Sequence, residues 1–229
     1  MLFLSTQKWR PLLIVFLAYC MSYCIASQVA AEDPTPIQLT SQQLADLERG
    51  EILVSVEQRG HLNRAEMYAV VDAPIGDVWE ILENQDIVPE WNPEVKWINV
   101  VKELGDNKTH IKGVNNMPWP MRDRYWDMIS GMGTIDLAGV HYRLSTWEYI
   151  KGSGNIEDSN GYWLGEPYKG QPNRTLLKYV LHADIGLWLP GFLVNWATKT
   201  VLPNSILGMR KIHKRLYANT SVVKASESE

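Results

Sequence analysis

Arg122, Arg124, Trp126, Met128 and Ser130 fall at every second position of one stretch of the chain. In an extended strand they share a face, and Met121, Asp123, Tyr125, Asp127 and Ile129 share the other. The first face has a basic end and an apolar middle. That chemistry holds an amphiphile by head and chain; it offers no nucleophile and no general base. Patterns for bond-breaking chemistry are scarce elsewhere. The five histidines, His61, His110, His141, His182 and His213, form no metal-binding spacing. No Gly-x-Ser-x-Gly elbow, phosphate-binding glycine loop or other cofactor pattern occurs. His213 falls near the inner side of the last helix, where a lone histidine is more often a hydrogen-bonded core residue than a catalyst.

Further candidate contacts lie toward the C-terminus. Leu177, Tyr179, Leu181 and Ala183 alternate with Lys178 and His182. The apolar set is expected inside and His182 in solvent, with Tyr179 offering a flat face and a hydroxyl. Trp147 and Tyr149 share one face of another strand, and Tyr142, Leu144 and Thr146 the other; alternation leaves open which is inside. An amphipathic helix begins at Pro190. Phe192, Leu193 and Trp196 form its first stripe; Leu202, Ser205, Ile206, Met209, Ile212 and Leu216 form its second. Lys211, Lys214 and Arg215 lie opposite, near the end that the helix dipole makes favourable for cations. Pro203 must bend or break this run, and a fixed bend is preferred to a gating hinge.

The elements that position these residues follow from periodicity. Ser41 to Glu48 is a short helix with Ser41 as its N-cap. Ile52–Val56 and Ala65–Val71 are strands. Ile75 to Leu82 is a helix, with Ile75, Val78, Trp79 and Leu82 on one face. Trp91, between Pro89 and Pro93, plugs the core from an irregular link. From Val95 to Asp184 the pattern is of strands, about eight with the first two. The single apolar sheet face needs a cover, and only the last helix is long enough. The expected class is α+β: a curved antiparallel β-sheet wrapped around a long C-terminal α-helix.

The ends read differently. Lys8 and Arg10 precede an apolar run from Leu12 to Tyr23, and Val29 and Ala31 fit a small-residue cleavage site before Glu32. Residues 1–31 are expected to be a signal peptide, which sends the chain to the periplasm or outside the cell. Both cysteines, Cys20 and Cys24, fall within it, leaving a mature chain without disulfides. Residues 32–40, with Pro34 and Pro36, are expected to be a mobile lead, 41–218 one domain, and 219–229 a frayed polar tail. The leader carries two basic and no acidic residues, so the remainder has a net charge of −6. That argues against a nucleic-acid-binding surface.

Three segments, in order, resemble START-type lipid-transfer domains of the wider START and polyketide-cyclase superfamily. They are Val71-Asp72-Ala73-Pro74 with Val78-Trp79; Pro120-Met121-Arg122-Asp123-Arg124-Tyr125; and Thr175 to Tyr179 through Asp184, Trp188, Leu189, Pro190 and Asn195. The resemblance implies a helix-grip fold with a cavity for one lipid or similar amphiphile, lidded by the last helix. It places Arg122 in that cavity, often with an acid on the preceding strand. Lys108 to Gly113 offers none, so Asp123, Asp127, Glu148 or a ligand phosphate must neutralise Arg122, or it faces water. Arg124 is assigned to the solvent rim.

The expected ligand contacts are therefore Arg122, Trp126, Met128, Leu177, Tyr179, Leu181, Phe192, Trp196, Ile206, Met209 and Ile212. The expected activity is carriage of a lipid or hydrophobic small molecule by a monomer that touches membranes transiently. No catalytic residue, metal or cofactor is assigned. Trp119 and Trp188 lie in loops, and Trp188 with Leu189 is the candidate membrane tip. A cyclase- or hydrolase-like enzyme using the same cavity is the alternative; a ligand sensor is a third.

Overall fold

Alternating apolar and polar residues build one sheet, as the computed structural model of residues 32–226 makes plain. The expected signal peptide lies outside the described residues. Helix α1 (Ser41–Glu48) precedes β1 (Leu53–Arg59) and β2 (Leu62–Val71). Helix α2 (Ile75–Glu83) and the single turn α3 (Val88–Trp91) follow. Then come β3 (Val95–Gly105), β4 (Lys108–Asn115), β5 (Arg124–Leu137), β6 (Val140–Tyr149), β7 (Asp158–Pro167) and β8 (Thr175–Asp184). The eight strands pair in the order β1-β2-β8-β7-β6-β5-β4-β3, all neighbours antiparallel. Helix α4 (Gly191–Trp196), a wide π-helical turn (Ala197–Val201) and α5 (Leu202–Ser226) close the chain.

Met67, Ala69 and Val71 of β2 point inward with Leu177 of β8, onto Val78 and Trp79 of α2 and Ile206, Met209 and Ile212 of α5. Burying each of the large aliphatic side chains contributes roughly 1.5–3 kcal/mol. Glycine brings α5 close: a Cβ on Gly208 would lie 2.1 Å from the Trp91 carbonyl oxygen. Pro203, the second residue of α5, follows the wide turn, where its missing N–H is accommodated without ending the helix.

Several boundaries differ from expectation. Thr40, not Ser41, caps α1: its hydroxyl accepts from Gln43 N–H while the Gln43 side chain accepts from Thr40 N–H. Strand β5 runs through Gly131 and Gly133 to Leu137 and turns only at Ala138 and Gly139, both at positive φ. Helix α5 continues to Ser226, into the expected polar tail.

The expected mobile lead is a strap bound to the outer sheet face. Ile37 packs with Tyr142, Tyr162, Leu164 and Val180. Thr35 accepts from Lys178 Nζ through its hydroxyl (2.7 Å) and its carbonyl (3.2 Å), and Lys178 is 3% exposed. Glu32 accepts from Arg64 at 2.8 and 2.9 Å, and His182 Nε2 lies 2.6 Å from the same carboxylate. The Arg64 guanidinium, with His182, pulls the Glu32 carboxyl down to about 2 against its burial. His182 is thus covered, not solvent-facing as alternation implied. Two prolines suggested a loose segment; the partners that fix it are distant in sequence, Arg64 by 32 residues and Tyr162, Lys178 and His182 by more than a hundred.

Candidate functional site

The packed core fills only part of the space beneath the sheet. Past Ser205, toward the start of the last helix, sheet and helix enclose a cavity of about 370 Å³. That lies within the range of about 300–1,000 Å³ that holds one small ligand. The first half of the long helix lids it through Leu193, Val194, Trp196, Ala197, Val201 and Leu202. Trp91 stands at the boundary, 4% exposed and edge-to-face with Trp163 at 6.5 Å.

Aromatic rings form the middle of the wall. Tyr179 stacks on Trp147 (5.5 Å between centroids) and meets Trp163 at 4.5 Å. This settles β6: Trp147 is inside, whereas Tyr142 and Leu144 pack on the outer face. Burial pushes the Tyr179 phenol up, with the nearby Glu94 carboxylate adding to the effect. It therefore remains a neutral hydrogen-bonding group at physiological pH.

Arg124, Trp126, Met128 and Ser130 all face the cavity, so the alternation was right. The strand, however, begins at Arg124, two residues later than expected. Arg122 precedes it and is exposed to solvent, which removes any need for a buried counter-charge there. Arg124, assigned to the rim, is the inward arginine, at 9% exposure. Tyr179, Leu181 and Trp196 also line the cavity. Leu177, Ile206, Met209 and Ile212 do not: they share the correct face but lie along the length that is solidly packed. Phe192 is 70% exposed and points away, while its neighbours Leu193 and Val194 take the inner positions.

Sequence reading missed Glu94, whose single charge between Pro93 and Val95 gave no sign of burial. It lines the cavity, and burial raises its carboxyl to about 7. An ordinary glutamate ionises near 4.5. Stability contributed by the neutral acid is therefore full below pH 4.5 and lost as pH rises through 7. Glu94→Gln is expected to abolish this loss. Calorimetry at pH 5 and pH 8 measures it: the wild-type midpoint falls relative to the variant's, and parallel shifts would remove the buried-acid assignment.

His213 is not on the cavity wall; its Nε2 lies 3.0 Å from Asp77 Oδ2 and its ring stacks on Tyr217. Among the described residues, no three His, Cys, Asp or Glu side chains cluster as a metal site would need.

No model of a known protein family matches the chain. Its sequence is similar to the human steroidogenic acute regulatory protein, 28% identical over 138 residues, covering 55% of this chain. The chain spans about half the length (47%) of that curated relative. Its structure is similar to the STAR-related lipid transfer protein from Xanthomonas axonopodis, with a TM-score of 0.59 and 20% identity over 71% of this chain and 93% of the other. The fold is the START helix grip. The lipid transfer and protein localization domain of human StarD13 superimposes with a TM-score of 0.54 at 12% identity, covering 90% of this chain and 98% of that domain. Identities this low speak to the START fold alone: an eight-stranded antiparallel sheet with a long C-terminal helix packed across it.

Proposed function

We propose that the chain is an exported START-type carrier that takes one lipid or other hydrophobic molecule into its cavity and moves it between membranes. The observation that carries this reading is the cavity itself, apolar in its middle and lidded by the helix that closes the fold. The similarity to the steroidogenic acute regulatory protein and the likeness to a STAR-related lipid transfer protein support the cargo class. The leader read in residues 1–31 supports export to the periplasm or beyond. The carrier works as a monomer with transient membrane contact and performs no chemistry on its cargo. The rival cyclase- or hydrolase-like reading has one observation in its favour, the cavity acid Glu94 held near neutrality beside Tyr179.

The full chain, leader included, is the protein to express for the test. The mature product is expected to begin at Glu32, to release a hydrophobic molecule on organic extraction, and to carry one such molecule in native mass spectrometry. It should move a fluorescent lipid between donor and acceptor vesicles faster than the spontaneous rate. An empty cavity with no transfer would overturn the carrier; chemically altered cargo, lost in Glu94→Gln, would favour the enzyme. A retained leader would remove the export element.

A further inference from the structure

We infer that one end of the cavity is an oxyanion seat, formed by Arg124 and Asn115, that selects amphiphiles with a carboxylate or phosphate head; this rests on the carrier reading. Arg124 is buried to nine-tenths, its Nε has no hydrogen-bond partner, and it joins no ion pair among the described residues. A guanidinium withdrawn from water without a counter-charge is costly. The wall does contain acids, Glu94 and Asp158, yet neither pairs with it. Burial alone perturbs Glu94, with no pull from Arg124. Asp123, next in sequence, is spent on Lys96 and the Met117 N–H.

The neighbouring side chain is also a donor. Asn115 stands directly opposite Arg124 in the β4–β5 register, and both line the cavity. Trp126 Nε1–H donates to Asn115 Oδ1 at 2.9 Å. An indole nitrogen only donates, so this bond fixes the amide orientation and leaves the Asn115 NH2 free of partners among the described residues. Two donors, one of them charged, thus stand at paired positions of β4 and β5, with no protein acceptor bonded to either among the described residues. A carboxylate or a phosphate oxyanion satisfies both, whereas a lone hydroxyl or an ester leaves the charge unmatched. Trp126, Met128 and Trp147 then receive the apolar body.

Paired ligands isolate the head. Tryptophan fluorescence of the mature protein is titrated with a long-chain fatty acid and its methyl ester, and with a monoacylglycerol phosphate and the matching monoacylglycerol. At least one anion is expected to bind about tenfold or more tighter than its neutral partner, about 1.4 kcal/mol. Preference in the first pair marks a free carboxylate as cargo, and in the second a phosphate head. Arg124→Gln should bring the anion and its neutral partner to equal affinity, while Arg124→Lys keeps part of the preference. Anion and neutral partner binding alike to wild type would overturn the seat but leave the carrier standing. Preference persisting in a folded Arg124→Gln would also overturn it. If none of the four binds, the seat falls, and native mass spectrometry with vesicle transfer decides the carrier separately; the wild-type comparison decides even where the glutamine variant does not fold.

Discussion

Trp91→Ala is expected to lower the thermal midpoint by about 6–20 °C. Truncating a buried tryptophan costs about 3–5 kcal/mol, and a domain of this size loses about 2–4 °C per kcal/mol. The site is poorly able to collapse. Trp91 meets Trp163 edge-on, and its backbone lies against α5 at Gly208, where a Cβ would come within 2.1 Å of its carbonyl oxygen. Helix α5 cannot move inward to fill the space without colliding with that backbone. One effect acts the other way: Trp91 Nε1 is buried without a partner among the described residues, so the substitution also removes an unsatisfied donor. That offset is smaller than the lost packing. Because Trp91 stands between core and cavity, the variant should also take up a small apolar probe that wild type excludes. Calorimetry with and without the probe measures both effects, and a midpoint within about 2 °C of wild type would show that Trp91 does not hold the two regions apart.

The alternation rule found the faces because side chains in a strand have a fixed period of two. It placed Trp126, Met128, Tyr179 and Leu181 inward, where they are. It was silent on position along the strand. Leu177 and Tyr179 share a face two residues apart, but one is in solid core and the other on the cavity wall. That division depends on how far α2, α3 and α5 extend beneath the sheet, which no local pattern encodes. The same ignorance of ends exchanged Arg122 for Arg124. Arg122 suits the resemblance, but a proline-rich loop delays the strand until Arg124. Glu94 and the strap were illegible for a different reason: their burial comes from residues distant in sequence. Composition marks Glu32 to Thr40 as loop, and only the fold brings Arg64, Lys178 and His182 to it.

Replacing Trp119, Trp188 and Phe192 together by alanine is expected to cut vesicle binding about 100-fold while leaving the thermal midpoint nearly unchanged. These side chains are 92%, 61% and 70% exposed, an unusual placement for large aromatics. Their segments border the cavity: Met117, Pro118 and Met121 line it beside Trp119, and Ile185, Leu189 and Leu193 line it beside Trp188 and Phe192. Leu189, paired with Trp188 as a membrane tip from sequence, belongs to this wall. Tryptophan prefers the membrane interface, where its apolar body is buried and its N–H stays wet. If each ring contributes about 1 kcal/mol on partial insertion, three contribute about 3 kcal/mol, or about two orders of magnitude in affinity. The fold gains little from them, since they pack against little. Flotation with liposomes and a soluble-ligand titration separate the possibilities. Lost vesicle binding with unchanged ligand affinity assigns the aromatics to docking at the mouth. Unchanged vesicle binding removes that role, and weakened ligand affinity would instead mean that the rings close the cavity over its cargo.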